Sequence, residues 1–142
     1  MSGPSGPERI TMPVQVMYFD TDAGGVVSNL AYLRIIETAR TLLGIQLGMD
    51  FETIERTRTH PVVVRTEIDY RKPARLGEHL LVQGRLAEVA KARFWVEFEI
   101  ERTHTQDVIV TCRQALALVR LPEGRPVRIA AGFPGLAAAA RQ

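Results

Sequence analysis

An α+β fold, one antiparallel sheet with a single long helix on its face, is what the hydrophobic patterning of this chain predicts. Three observations carry that expectation. Apolar residues alternate with period two near the start, switch to helical spacing over 29–43, and return to period two in four runs between 61 and 120. Those runs are about 8–12 residues long and joined by short turns, which excludes the long crossovers that parallel strands need. One helical run among five strand-like runs fits a sheet with a helix packed on one face.

Each element has its own signal. Over 11–19, Met12, Val14, Val16 and Tyr18 share one parity and mark a first strand. Asp20-Thr21-Asp22-Ala23-Gly24-Gly25 then supplies a turn. Tyr32, Ile35, Ile36, Ala39, Leu42 and Leu43 fall on one helical stripe, opposite Arg34, Glu37, Arg40 and Thr41. Ser28 or Asn29 caps its start and Gly44 its end. A short second helix follows Asp50. In the next strand Val62, Val64, Ile68 and Tyr70 are expected on one face and Arg65, Glu67 and Asp69 on the other. Leu80, Val82 and Leu86 mark the third strand, and Ala92, Phe94, Val96, Phe98 and Ile100 the fourth. Val108, Val110, Cys112, Leu116 and Leu118 mark the last. The expected organisation is a flexible tail at 1–10, one domain at 11–121, and a C-terminal extension at 122–142 that is extended and then briefly helical.

Composition narrows the function classes. With 142 residues, 46% hydrophobic and 24% charged, the chain has the profile of a globular domain able to build its own core. The formal charge is +2 with signs interspersed, so no basic tail or stripe recruits nucleic acid or an anionic membrane. The residues at 129–140 are too few, and too interrupted by Gly132, Pro134 and Gly135, for a membrane helix of about 20 apolar residues. Cys112 is the one cysteine, so no intrachain disulfide forms and it is expected as a small core residue. His60, His79 and His104 show no ligand spacing with one another or with Cys112, and no metal site or cofactor is expected. Without a signal-peptide pattern, the expected compartment is the cytoplasm.

The stretch Tyr18-Phe19-Asp20-Thr21-Asp22-Ala23-Gly24-Gly25-Val26-Val27-Ser28-Asn29-Leu30-Ala31-Tyr32 carries the chemistry. It sets two carboxylates and a double glycine between a strand and the N-terminus of the central helix. Unpaired N–H groups at such a terminus carry partial positive charge and hold an anion or a developing oxyanion. A carboxylate beside them can activate water or attack a carbonyl itself. Acyl transfer needs that combination.

At these residues the chain resembles the hotdog-fold thioesterases of the 4-hydroxybenzoyl-CoA thioesterase type. Asp20 to Tyr32 matches their D-x-D-x-x-G-(V/I)-V-x-x-x-x-Y motif, and Glu37-Thr38-Ala39-Arg40 is close to their E-x-A-R. Tyr70-Arg71-Lys72-Pro73-Ala74-Arg75-Leu76-Gly77-Glu78 resembles their Y-x-x-P-A-R-x-G-(D/E) turn. Three fragments in order, spread over about 12–120, make the resemblance specific. It implies a five-stranded sheet wrapped around one helix, and a homodimer or homotetramer with each site between protomers. It further implies an acyl-CoA substrate, Asp22 as catalytic nucleophile or general base, and carbonyl polarisation by a backbone N–H near Asn29. Gly25, Val26, Val27, Tyr32 and His60 are the expected substrate-binding positions, and Arg71, Lys72, Lys91 and Arg93 the expected CoA-binding cations. Many relatives carry Tyr-His where this chain has Ser28-Asn29. Asn29 donates a hydrogen bond but does no acid–base work near neutral pH, which favours an Asp-based mechanism. An acyl-carrier-protein thioesterase and a non-catalytic acyl-CoA binding module are the other readings open to this sequence. Asp20 is expected to brace the loop, and Glu37 to form an i,i+3 pair on the helix.

Overall fold

The computed structural model describes residues 8–141. Positions 1–7 of the expected tail therefore lie outside the described residues, and Arg9 and Ile10 already belong to the first strand. The elements are β1 (Arg9–Gln15), a 3-10 turn (Tyr18–Asp20), α1 (Asn29–Gln46), α2 (Phe51–Thr57) and β2 (Thr59–Tyr70). They continue with β3 (His79–Val89), β4 (Phe94–Arg102), β5 (Val108–Arg120), β6 (Arg125–Val127), a second 3-10 turn (Ile129–Ala131) and α3 (Pro134–Ala140). Every strand pairing is antiparallel, in the order β1-β3-β4-β5-β2, with β6 added to the end of β5.

The sheet packs on α1, as the patterning predicts, and curls around it, as the resemblance implies. Its inner face presents Leu80 and Val82 from β3, Phe94, Val96, Phe98 and Ile100 from β4, and Val110, Cys112, Leu116 and Leu118 from β5. Ala31, Tyr32, Ile35, Ile36, Ala39 and Leu43 of α1 are buried against it. Ser28 caps α1, its Oγ accepting from the Ala31 N–H at 3.2 Å. The helix runs through Gly44 instead of stopping there. A helix-interior glycine costs about 1 kcal/mol against alanine, whereas burying Leu47 at the far end contributes about 1.5–3 kcal/mol, so the helix continues. Asp50 caps α2 by accepting from the Thr53 N–H at 3.2 Å, and the same contacts with Thr53 hold its carboxyl below the usual range.

Two expectations for the strands change. The first strand ends at Gln15, because the buried Asp20 carboxylate accepts the Met17 N–H at 2.9 Å and bends the chain into a 3-10 turn. Tyr18 and Phe19 consequently stand out of the core, 85% and 75% exposed. In β2 a bulge between Val63 and Arg65 reverses the side-chain alternation. Val62, opposite Ala117, therefore shares a face with Glu67 and Asp69, while Val63, Ile68 and Tyr70 stand on the face of Leu116, Cys112 and Val110.

The residues after Pro122 do not trail away. Ile129, Phe133 and Leu136 are buried in the main core, and the Gly135 N–H donates to the Leu47 carbonyl at 2.9 Å. A Cβ at Gly135 would come within 2.6 Å of the Leu47 backbone, so only glycine permits this approach.

Candidate active site

Residues 20–28 form a tight loop, held at both ends, that delivers the chain from β1 to the start of α1. The Asp22 N–H donates to the Val26 carbonyl and the Gly25 N–H to the Asp22 carbonyl, both at 3.0 Å. Gly25 sits at φ +78°, a conformation that glycine adopts without strain. The Ser28 N–H donates to the Asp20 carbonyl at 2.9 Å. Asp20 braces the loop from beneath, its carboxylate paired with the Arg34 guanidinium as well as with the Met17 N–H.

The β2–β3 turn clamps the loop from the other side. The Val27 N–H donates to the Ala74 carbonyl at 2.9 Å, and the Ala74 N–H donates to Tyr32 Oη at 3.3 Å. Val26 and Arg75 form an isolated antiparallel bridge.

Asp22 is exposed at the tip of this loop. Its Oδ1 accepts from the Gly24 N–H at 2.8 Å, which fixes the carboxylate, and Oδ2 has no partner among the described residues. Four residues past the glycines, α1 opens. The Ala31 N–H is taken by Ser28 Oγ and the Tyr32 N–H by the Ser28 carbonyl, whereas those of Asn29 and Leu30 have no partner among the described residues. A fixed carboxylate and two free helix-start amides thus flank one glycine loop. That is the equipment for driving attack on a carbonyl and stabilising the oxyanion that develops.

The expected substrate-binding positions divide. Gly25 is exposed and Val26 half-buried on the loop, open to a ligand. Val27 and Tyr32 are buried, and their contacts to Ala74 make them braces. Burial is the main cause that raises the Tyr32 phenol above its ordinary pKa. His60 pairs with Val119 and stands on the sheet face away from α1, while its neighbour Pro61 faces inward.

The expected CoA cations divide too. Arg71 donates from Nε to Thr111 Oγ1 at 3.3 Å, and Lys72 pairs with Asp107 at 3.0 Å, which helps hold that carboxyl below its usual range. Lys91 and Arg93 lie in the β3–β4 turn, at the opposite end of the hairpin from the glycine loop. Sequence reasoning passed over Arg75. It is exposed, has no side-chain partner among the described residues, and bridges to Val26. The signal was present in the Pro73-Ala74-Arg75 motif, but only the pairing of its neighbours shows that it is the unengaged cation of the turn.

A second polar group was also missed. Gln114, 2% exposed, takes a core position in β5; its Oε1 accepts from Arg40 at 2.9 Å and its Nε2 donates to Thr66 Oγ1 at 3.2 Å. Arg40 also pairs with Glu37, which engages that carboxylate in the i,i+3 contact expected of it. A polar residue at a core parity was the available signal. Cys112 is buried, and burial pushes its thiol up to about 11.

Two cavities bear on the site. One of about 390 Å³ lies along the sheet beside Arg85, Glu97 and Arg113, whose charges pair with one another. The other, about 120 Å³, is apolar and lies between α1, α2 and β2, lined by Leu43, Leu47, Met49, Ile54, Phe94 and Leu116 among others. Neither is lined by Asp22, and residues 22–25 of the glycine loop are exposed.

Comparison with known proteins places the chain in a family. Residues 16–138 match the thioesterase-like superfamily, and the chain belongs to it. It is 38% identical over 93 residues to an acyl-CoA thioesterase, YbgC, of Haemophilus influenzae, covering 65% of this chain and 68% of that one. It is 30% identical over 126 residues to the acyl-CoA thioester hydrolase YbgC of Escherichia coli O6:H1, covering 85% and 92%. The crystal structure of a probable thioesterase from Bartonella henselae superimposes with a TM-score of 0.74 at 27% identity, covering 84% and 98%. The fold is the hotdog fold of these thioesterases.

Proposed function

We propose that this chain hydrolyses acyl-CoA thioesters to a carboxylate and free CoA, with Asp22 driving the attack. The observation that carries the reading is the glycine loop itself, with a carboxylate pinned through Oδ1 at its tip and the free amides of Asn29 and Leu30 at its exit, in a member of the thioesterase-like superfamily. In the general-base route Asp22 takes a proton from water as its oxygen bonds to the carbonyl carbon. The oxyanion is held by the Asn29 N–H, the C–S bond breaks, and the proton passes to the leaving sulfur. In the nucleophilic route Oδ2 bonds to the carbonyl carbon, the C–S bond breaks and the CoA thiolate leaves, and water then hydrolyses the resulting anhydride to the free carboxylate and Asp22, one of its protons going to the thiolate. Asn29 contributes its main chain in both. Gly25 and Val26 admit the thioester, and Arg75, with Arg71 and Lys72 behind it, meets the phosphates of CoA.

The active unit is a homodimer joined through β2. That strand is a free sheet edge of 12 residues with exposed Val63, Val64 and Tyr70, whereas the other edge, β1, has seven residues and is interrupted by Pro13. The test is thiol release over short, long and aromatic acyl-CoA substrates: turnover on at least one is expected, and tight binding without turnover on all of them would favour a binding module.

A further inference from the structure

The turn that clamps the glycine loop is itself held from β4. Arg102, the last residue of that strand, extends a half-buried side chain to the β2–β3 turn, and all three nitrogens of its guanidinium are engaged. Nη1 pairs with the Glu78 carboxylate, Nη2 donates to the Pro73 carbonyl at 3.2 Å, and Nε lies 3.8 Å from the Asp107 carboxylate. Glu78 passes the contact on, its Oε1 accepting the Arg75 N–H at 2.7 Å. Asp107 does the same for Lys72, at 3.0 Å.

These tethers bracket Ala74. The residue before it is held by its carbonyl and the residue after it by its N–H, and both tethers lead back to one guanidinium. Ala74 is fully buried and commits both main-chain groups to the site, the carbonyl to the Val27 N–H and the N–H to Tyr32 Oη. Val27 is where the loop passes into α1. On one side of it the Val26 carbonyl holds the Asp22 N–H, and on the other the free amides of Asn29 and Leu30 follow. A shift of Ala74 is therefore passed to the spacing between the Asp22 carboxylate and those amides. Among the described residues Arg102 itself forms no hydrogen bond or ion pair with Asp22, Asn29 or Leu30.

Charge alone does not explain the arrangement. A lysine offers a point charge, whereas the planar guanidinium addresses a carboxylate and a carbonyl at once in fixed directions. Resting on the proposed thioesterase reading, we infer that Arg102, acting with Glu78, is a positioning residue of the reaction. By fixing Ala74 it sets how the Asp22 carboxylate stands to the helix-start amides. A misplacement of about 1 Å, caused far from the reacting atoms, costs about 10²-fold in rate. Arg75, on the same turn, meets a ligand through a long exposed side chain that absorbs such a shift. The Asp22 carboxylate, pinned by the Gly24 N–H, and the main-chain amides have no such slack, so the loss falls on kcat rather than KM.

The test compares Arg102→Met, Arg102→Lys and Glu78→Gln with Arg113→Met, which removes ion pairs to Glu97 and Glu88 on the sheet face away from α1. Kinetics are measured on the acyl-CoA the full-length wild type uses best, at a temperature where circular dichroism shows the variants folded. Arg102→Met should lower kcat about 10–100-fold with KM within about threefold, and Arg113→Met should keep kcat within about twofold. Arg102→Lys should recover part of the loss. Glu78→Gln keeps an acceptor for the Arg75 N–H but not the charge facing Arg102, and should lower kcat in the same direction; it carries the test if Arg102→Met does not fold. Amide hydrogen exchange supplies a readout apart from turnover: the Val27 N–H should exchange at least about tenfold faster in Arg102→Met and at the wild-type rate in Arg113→Met. Wild-type kcat or wild-type Val27 exchange in folded Arg102 and Glu78 variants would overturn the inference. So would an equal fall in kcat for Arg113→Met, the mark of a general loss of stability. Wild-type turnover by Asp22→Asn would instead sink the catalytic reading on which the inference rests.

Discussion

Ala74 holds Val27 in place: its carbonyl accepts the Val27 N–H at 2.9 Å, and its own N–H donates to Tyr32 Oη at 3.3 Å. This pair of contacts ties the glycine loop, the first turn of α1 and the β2–β3 turn into one unit. Tyr32→Phe removes the oxygen and leaves the Ala74 N–H buried without a partner, so it should destabilise by about 1–3 kcal/mol. Urea denaturation checks this, and a midpoint equal to wild type would show that the brace is idle.

The oxyanion donor is a main-chain group, and Asn29 permits a direct test. It is the first residue of α1, where proline is well tolerated, and Ser28 before it is extended, as a residue preceding proline must be. Asn29→Pro therefore deletes one amide and keeps the helix, and should lower kcat by about 10²–10³. Asn29→Ala keeps the amide and should retain activity. Equal kinetics for the two variants would remove the amide from the mechanism.

Arg40 and Gln114 should respond unequally to deletion. Gln114→Leu replaces a buried amide by an apolar side chain of similar size and leaves Arg40 paired with Glu37, so stability should change by less than about 1 kcal/mol. Arg40→Met leaves Gln114 Oε1 buried without its donor and should cost about 1–3 kcal/mol. Thermal melts of both variants decide it; a larger loss for Gln114→Leu would reverse the argument.

Cys112 should be unreactive in the folded chain. Its thiol is pushed up to about 11 by burial, so the thiolate is scarce at pH 8 and rises only as pH approaches that value. Since the folded pKa exceeds the unfolded one, the thiol's contribution to stability is complete below the unfolded pKa and is lost as pH rises through about 11. Labelling by a thiol reagent at pH 8 should be slow in buffer and rapid in denaturant. Equal rates would place the sulfur at the surface.

Periodicity made the five main strands and α1 legible, because each buries one face against a common core. The bulge in β2 was not, since valines on both sides of it look alike and one inserted residue reverses the alternation without changing composition. The packing of 122–141 was hidden for the opposite reason: alanine, glycine and proline carry little pattern, and Gly135 shows its purpose only where it meets Leu47. At the site, the motif singled out Asp22 and its loop. Which cations stay free was decided by acids brought near through the fold, such as Asp107 beside Lys72. The tie between Tyr32 and Ala74, 42 residues apart, was not visible either, because a linear reading does not show which side chains the fold brings together.

The most direct measurement is kcat of Asp22→Asn on the best acyl-CoA found for the wild type. Asparagine keeps an Oδ1 to accept the Gly24 N–H, so the loop should hold its shape and the melting temperature should not move. A loss of about 10²–10⁴-fold in kcat is predicted. A folded Asp22→Asn chain that turns over at the wild-type rate would contradict the account.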